Sequence, residues 1–150
     1  MGFLSDRLRG KQIYLDANVF IYALEGMTPW VGELADLFTG IDEGGCTAVT
    51  SELTLAECLV RPFAIGNDTV VNSYLAALKP RRYLSVVPIS KDTLLEAAKL
   101  RATQGLKLPD AIHAATAIAE GCSVLVSNDA AFRRLIGVEV ILLSKWREGC

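Results

Sequence analysis

The chain has 150 residues, of which 51% are hydrophobic and 21% charged, and its formal net charge at pH 7 is −2. This length suits one hydrophobic core, so we predict a single domain over residues 1–150, and the composition excludes an intrinsically disordered chain. The small negative charge gives no sign of nucleic-acid binding, which usually needs a basic excess. Clustered metal-binding carboxylates would, however, lower the formal charge while their bound cations reverse the local sign.

The sequence contains no segment typical of export or membrane insertion. Residues 1–9 carry charges and lack the apolar stretch of a secretory signal, and no window approaches the length of a membrane span. We therefore expect a cytoplasmic protein. Its cysteines lie far apart without a CxxC pair, and we expect them to be reduced and largely buried: Cys46, Cys58, Cys122 and Cys150.

Short β-rich runs alternate with helical patterns along the chain. The predicted strands are residues 12–15, 47–50, 84–89, 123–126 and 138–143, and helical periodicity fills most of the intervals. Strands that alternate with helices predict a parallel sheet covered on both faces. The expected fold class is therefore α/β.

Capping residues mark two of the predicted helices. Ser90 with Asp92 opens the helix after the third strand, and Pro109 occupies a first-turn position of the helix before the fourth strand. Gly121 ends that second helix. Small and apolar residues nearly encircle its axis over residues 109–120, which indicates a helix packed hard against the sheet.

Four acidic residues are predicted to meet at one edge of this sheet. Asp16 ends the first strand, and Asp129 follows the fourth strand by a few residues. Asp110 lies in the first turn of the helix that leads into the fourth strand, so it faces the same edge. Glu57 lies about two turns into the helix after the second strand. In open α/β sheets, ligands bind at the carboxyl ends of the strands.

Such a cluster of carboxylates needs compensation. Two close carboxylates repel each other by roughly 3 to 4 kcal/mol at an effective dielectric constant near 20. Glu57 has apolar sequence neighbours and is expected to be buried, so it needs either Arg61 at i+4 or a cation shared with the other acids. Oxygen ligands without His or Cys favour Mg²⁺ or Mn²⁺, and such a site suits phosphodiester hydrolysis.

Each acid also has an ordinary structural use. Asp110 and Asp129 can interact with the free N–H groups at a helix start, which is a common role of Asp. We favour the shared site because all four acids fall at one sheet edge. Other acids have the pattern of solvated helix faces or caps and are left out of the site: Glu33, Asp36, Asp42, Asp92 and Glu96.

Four segments resemble, in order, the motifs of a PIN domain. They are LDANVFIY at 15–22, TLAE at 54–57, LPDAIHAATA at 108–117 and LVSNDAAF at 125–132. The match covers nearly the whole chain. Within this family, the sequence is most similar to the VapC-type toxin ribonucleases of prokaryotic toxin–antitoxin pairs. The resemblance implies cleavage of single-stranded or looped RNA, an antitoxin partner and a homodimer.

The resemblance also implies a specific architecture and site. The fold would be a three-layer α/β/α sandwich whose five-stranded parallel sheet has the order 3-2-1-4-5, with the four acids as catalytic Mg²⁺ or Mn²⁺ ligands. Asn18 and Ser127 would support these ligands, although Asn18 can equally cap the following helix. Ala17 departs from the family, which commonly has Thr or Ser there, so a water-binding hydroxyl is missing.

Several other residues have two possible uses. His113 lies one turn beyond Asp110 and can either contact an RNA phosphate or be hydrogen-bonded within a packed helix, and we favour the second use. A second basic cluster, Lys79, Arg81 and Arg82, precedes the third strand. Arg133 and Arg134 follow Asp129 and are better placed to meet an RNA backbone, although a solvated face is the ordinary use of both clusters. Packing is a more common use than base stacking for Trp30, Phe132 and Trp146.

Two other functions fit parts of the pattern. A phosphoacceptor signalling domain shares the doubly wound sheet, but its acceptor Asp ends the third strand, where this chain has Val86, Val87, Pro88 and Ile89. A PIN-like module that binds RNA or protein without cutting is the other alternative. The retained acids argue against it.

Overall fold

The computed structural model describes residues 4–26 and 29–145, so Trp146 and Cys150 lie outside the described residues. In chain order the elements are α1 (Leu4–Arg7), β1 (Gln12–Leu15), α2 (Ala17–Glu25), α3 (Val31–Asp42), β2 (Thr47–Ser51), α4 (Leu53–Ile65), α5 (Asp68–Ala77), β3 (Leu84–Val87), α6 (Lys91–Gln104), α7 (Leu108–Ala119), β4 (Val124–Ser127), a 3₁₀ helix (Ala130–Arg134) and β5 (Glu139–Leu142). Over these described ranges, no helix is both long and apolar enough to cross a membrane.

The five strands form one parallel sheet in the order β3-β2-β1-β4-β5, which is the order that the PIN resemblance implied. Alternate residues of β1 enter different cores, because successive strand side chains point to opposite faces. Ile13 and Leu15 pack in one core, while Tyr14 packs in the other with Val49 and Leu125. Helices therefore cover both faces, and the predicted α/β/α sandwich is confirmed.

The strand order also excludes the signalling alternative. Phosphoacceptor domains of the flavodoxin-like type have the order 2-1-3-4-5, in which the first and third strands are neighbours. Here β1 lies between β2 and β4. Because β1 and β4 pair directly, the residues that follow them lie side by side at the carboxyl edge of the sheet.

Strand boundaries differ from the prediction in one informative place. The third strand ends at Val87 and not at residue 89. Pro88 has no N–H group to continue the hydrogen-bond ladder, which accounts for the early end. The other strands differ from the predicted bounds by at most one residue at either end.

Helix α7 lies inside the molecule, as its composition predicted. All seven residues of 111–117 are buried, and most of them pack in the same core as Tyr14. Pro109 occupies its first turn, and Gly121 follows its end with a φ of 70°, a left-handed conformation that glycine adopts without steric cost. Ser90 caps α6 by accepting a hydrogen bond from the Thr93 N–H.

The described cysteines behave as predicted. Cys46, Cys58 and Cys122 are free and buried. Burial raises the pKa of Cys58 to about 12 and that of Cys122 to about 11, so both thiols stay protonated and act as small apolar groups.

Candidate active site

Asp16 and Asp129 are joined through one serine hydroxyl. Asp16 directly follows β1, caps α2 by accepting from the Val19 N–H at 3.3 Å, and is only 4% exposed. The Ser127 hydroxyl, at the end of β4, donates to Asp16 Oδ2 and accepts from the Asp129 N–H at 3.0 Å. Asp129 in turn accepts from the Ala131 N–H at 2.9 Å and so caps the 3₁₀ helix. The pairing of β1 with β4 makes this link possible.

The charge state of Asp16 reflects its burial. Loss of solvent is the main cause that raises the pKa of Asp16 from 3.8 to about 6, and the nearby Glu57 carboxylate acts in the same direction. The hydrogen bond from Ser127 and the proximity of His113 act in the opposite direction. Asp16 is therefore a buried acid whose ionised form is costly without a cation.

Asp110 lies in the first turn of α7, as predicted. Burial raises the pKa of Asp110, and the negative charges of Asp129 and Glu57 raise it as well. Asp16 and Asp129 follow the paired strands β1 and β4, and Glu57 contacts His113, one turn beyond Asp110 on α7. Each acid is also near enough to at least one other to influence its pKa or be influenced by it. The structure thus brings the four acids to one edge of the sheet.

Glu57 lies differently from the expectation. Because α4 begins at Leu53, Glu57 is just over one turn into the helix, and its side chain is 33% exposed. The predicted burial of Glu57 was therefore wrong. It was based on the apolar sequence neighbours of Glu57, but some of them, such as Val60, face solvent. Among the described residues Arg61 forms no ion pair with Glu57; the partner is His113, whose Nε2 lies 2.5 Å from Glu57 Oε1.

His113 occupies the packed position that the sequence favoured. Its side chain is 2% exposed, and its Nδ1 lies 2.6 Å from the Tyr14 hydroxyl. With Nε2 directed to Glu57, both ring nitrogens have protein partners. The ring has no nitrogen left for an RNA phosphate, so the alternative of direct phosphate contact does not fit this arrangement.

The other predicted site residues lie at or near the protein surface. Asp16, and not Asn18, caps α2, and Asn18 is partly exposed in the first turn of that helix. Arg133 and Arg134 are exposed in the 3₁₀ helix that Asp129 caps. Arg81, from the rival basic cluster, pairs with Asp42 at 2.8 Å.

Trp30 and Phe132 pack as predicted, whereas one acidic residue expected at the surface is buried. Phe132 is fully buried, and Trp30 packs against Tyr22 with ring centroids 5.7 Å apart. Glu33 is buried, although the sequence suggested a solvated acid, because its position on α3 falls among core residues such as Leu34 and Leu37.

The donor chemistry of the four acids fits a divalent cation. Their carboxylate oxygens are the hard ligands that Mg²⁺ and Mn²⁺ prefer, and the cost of ionising buried Asp16 is what a cation would offset. Over residues 4–26 and 29–145, however, no three His, Cys, Asp or Glu side chains are already close enough to form a metal-binding group. Binding would therefore require side-chain adjustment.

Three solved structures are similar to this chain in fold. VapBC2 from Rickettsia felis, bound to a promoter DNA fragment, has a TM-score of 0.66 and 19% identity and covers 87% of this chain and 98% of its own. VapC20 from Mycobacterium tuberculosis, a sarcin-ricin loop cleaving toxin, has a TM-score of 0.69 and 16% identity, with 85% and 98% covered. FitAcB from Neisseria gonorrhoeae has a TM-score of 0.63 and 23% identity, with 86% and 96% covered.

The sequence itself also identifies a family. No curated protein is significantly similar to the chain. Residues 13–137 match the family model of the PIN domain, and this range contains all four acids and the whole site around Ser127 and His113. The chain therefore belongs to the PIN domain family.

Proposed function

We propose that this protein is a metal-dependent endoribonuclease that hydrolyses RNA phosphodiester bonds and acts as the toxin of a toxin–antitoxin pair. The observation that carries the proposal is the placement of Asp16, Glu57, Asp110 and Asp129 near one another at the carboxyl edge of the sheet. Membership of the PIN family and the fold shared with a sarcin-ricin loop cleaving toxin support the same activity.

Mg²⁺ or Mn²⁺ is the proposed cofactor, held by the four acids. When bound, a divalent ion supplies Lewis acidity and lowers the pKa of a water molecule for attack on phosphorus. The chain's own residues supply the orientation. Ser127 holds Asp16, the Ala131 N–H holds Asp129, and His113 holds Glu57.

The RNA backbone is proposed to cross the exposed side of this edge. Arg133 and Arg134 extend from the 3₁₀ helix that begins beside Asp129 and can neutralise phosphates near the acids. These cations compensate locally for a chain whose formal charge is −2. The specificity of cutting would then depend on RNA shape and on unpaired bases.

A cognate antitoxin and a second copy of the chain are the proposed protein partners, and the cytoplasm is the proposed location. The solved relatives include toxin–antitoxin complexes, which supports an antitoxin for this chain. A neighbouring reading frame that encodes a short DNA-binding protein with an amphipathic tail would support this assignment. Co-purification of its product with the chain would test it directly.

One observation favours a second candidate, a PIN-like module that binds RNA or protein without cutting. The acids within the described ranges are electrostatic neighbours but are not drawn together into a ready-made metal group. A catalytic site must therefore close its acids around the cation, whereas a silent module need not. Only a measurement of cleavage separates the two.

The test is a nuclease assay with Mn²⁺ on a structured RNA, in which the wild type is compared with Asp16→Asn. We expect Mn²⁺-dependent internal cleavage by the wild type and a loss of at least about a hundredfold in the variant, because one buried anionic ligand is removed. Circular dichroism spectra control for folding. Equal cleavage by both proteins, or no cleavage by either, would overturn the proposed activity.

A further inference from the structure

A chain of hydrogen bonds connects Glu57 to the centre of the molecule. It begins at the Tyr14 hydroxyl on β1, passes through the imidazole of His113 on α7, and ends at Glu57 Oε1 on α4. The two heavy-atom distances are 2.6 and 2.5 Å, so both contacts are within hydrogen-bond distance. Three elements that are distant in sequence thus contribute one side chain each.

The environment of this chain of bonds changes sharply along its length. Tyr14 is fully buried and His113 is 2% exposed, whereas the Glu57 side chain is 33% exposed. A glutamate at the surface of a helix ordinarily samples several rotamers. Here its Oε1 is bonded to a buried ring, so the Glu57 carboxylate is held at one oxygen and fewer rotamers are open to it.

The polarity of the hydrogen bonds follows from the groups at the two ends. A carboxylate only accepts, so Nε2 of His113 carries a hydrogen and donates it to Glu57. With no hydrogen on Nδ1, this nitrogen is an acceptor and the Tyr14 hydroxyl donates to it. Tyr14 thereby stabilises the ring tautomer that can hold Glu57.

We propose that His113, oriented by Tyr14, is a positioning residue that fixes the Glu57 carboxylate for divalent-metal binding. The inference rests on the proposed function, since it concerns the same site. His113 acts through Glu57 and contacts neither the metal nor RNA. Its contact occupies Oε1 and leaves Oε2 without another partner among the described residues, available to a cation.

The first test is the tautomer of His113 in the metal-free protein. His113 is the only histidine of the chain, so an untagged, ¹⁵N-labelled sample gives one imidazole to observe. We expect long-range ¹H–¹⁵N spectra with a protonated Nε2 and an unprotonated Nδ1, and Tyr14→Phe should shift the population toward the other tautomer. A ring protonated at Nδ1 alone in the wild type would overturn the proposal, whether or not the protein cuts RNA.

The second test is the Mn²⁺ affinity of variants by isothermal titration calorimetry. His113→Leu and Tyr14→Phe should weaken binding by about 10- to 100-fold, whereas His113→Gln, whose amide replaces the Nε2 donor, should recover most of it. Thr116→Val is the matched control, because Thr116 is also buried on α7 but its hydroxyl bonds, among the described residues, only to the Ile112 carbonyl. Its affinity should equal that of the wild type.

The outcomes separate this inference from the proposed function. Wild-type Mn²⁺ affinity in a folded Tyr14→Phe or His113→Leu variant would overturn the positioning role and leave the nuclease proposal intact. If Thr116→Val weakened Mn²⁺ binding as much as His113→Leu, the positioning role would also be overturned. Removal of any buried polar group from α7 would then be enough to weaken binding. A wild type that binds no Mn²⁺ would instead refute the proposed metal site, while the tautomer still reports whether His113 holds Glu57.

Discussion

At the carboxyl edge of the sheet, one buried hydroxyl connects the carboxylate of Asp16 to the backbone N–H of Asp129. Ser127 donates to Asp16 and accepts from the backbone of Asp129. Its donor and one acceptor site are both used, and it has no exposed surface. Removal of the hydroxyl leaves buried Asp16 without its strongest compensating hydrogen bond, so stability and activity depend on the same atom.

Ser127→Ala should therefore lower both quantities. We expect RNA cleavage to fall about 10- to 100-fold and the free energy of unfolding to fall by about 1 to 3 kcal/mol, since a charged group loses a hydrogen bond. Cleavage rates and urea denaturation measure the two effects. Ser85→Ala, at an exposed position of β3, is the control and should change neither. A Ser127→Ala variant as active as the control would refute this role of the hydroxyl.

The raised pKa of Asp16 predicts a pH dependence of stability in the metal-free protein. The folded state holds this proton up to about pH 6 and the unfolded chain only to about 3.8, so stability falls as pH rises between these values. Above pH 6 the full cost, on the order of 3 kcal/mol for two pKa units, is present. Urea denaturation in EDTA should show this loss in the wild type relative to Asp16→Asn.

Mg²⁺ should recover this stability at pH 7.5, because an ion that binds only the folded state stabilises it. The same concentration should have little effect on Asp16→Asn. Parallel pH profiles of the two proteins in EDTA would mean that Asp16 is not destabilised by its burial.

The sequence predicted that the four acids lie at one edge of the sheet, but it did not predict the contacts that hold them. Asp16 and Asp129 were predictable, because each follows an apolar strand closely and parallel strands share one carboxyl edge. The bond between Glu57 and His113 was not, since 56 positions separate the residues and helical spacing pointed to Arg61. Tyr14 gave no signal at all, because a tyrosine in a strand has the pattern of an ordinary core residue.

At the scale of elements, α7 determines where two site residues lie. It carries Asp110 in its first turn and His113 one turn later, and its alanine-rich surface lets it pack closely between the sheet and α6. Small side chains let α7 lie close to the sheet and to α6, so a larger side chain on its buried side must displace the helix. A displaced α7 would move both Asp110 and His113.

Ala114→Leu tests this close packing, because Ala114 has no exposed surface. We expect a loss of about 1 to 3 kcal/mol in the free energy of unfolding from overpacking. Ala119→Leu, an exposed position at the end of the same helix, should be within about 0.5 kcal/mol of the wild type. Urea denaturation distinguishes them, and a neutral Ala114→Leu would contradict the packing described for α7.

Element boundaries followed from sequence wherever a local signal existed. Ser90, Pro109 and Gly121 mark helix ends through their own backbone chemistry, and the structure agrees at each. The third strand was predicted too long because its apolar run continues past Pro88, where the hydrogen-bond ladder cannot. The predicted burial of Glu57 on α4 was wrong for a different reason. Apolar neighbours such as Val60 face solvent, and their hydrophobicity alone does not reveal this.

At the scale of the whole molecule, the charge is not distributed as an RNA-binding protein's usually is. The formal charge of −2 includes the four site acids, while Arg133 and Arg134 provide local cations beside Asp129. RNA affinity should therefore depend on this small region and on the bound metal, and not on a broad basic face.

Replacement of both Arg133 and Arg134 by Gln tests this local role. In the Asp16→Asn background, which prevents cleavage, we expect weaker RNA binding and a salt dependence whose slope falls by about one unit for each phosphate that is no longer neutralised. Arg9→Gln with Lys11→Gln removes the same charge just before β1, at the opposite edge of the sheet, and should leave the slope unchanged. Fluorescence anisotropy at several salt concentrations measures both. Equal slopes for the two double variants would exclude a specific interaction of the arginines with RNA.

Anomalous diffraction from crystals soaked in Mn²⁺ tests most directly whether the four acids form a metal site. We predict a manganese peak surrounded by the carboxylates of Asp16, Glu57, Asp110 and Asp129, which close around the ion from their present positions as electrostatic neighbours. Crystals of Asp16→Asn soaked in the same way should show a weaker manganese peak or none. A wild-type structure without manganese at these residues, and with the four carboxylates directed to solvent, would contradict the central claim.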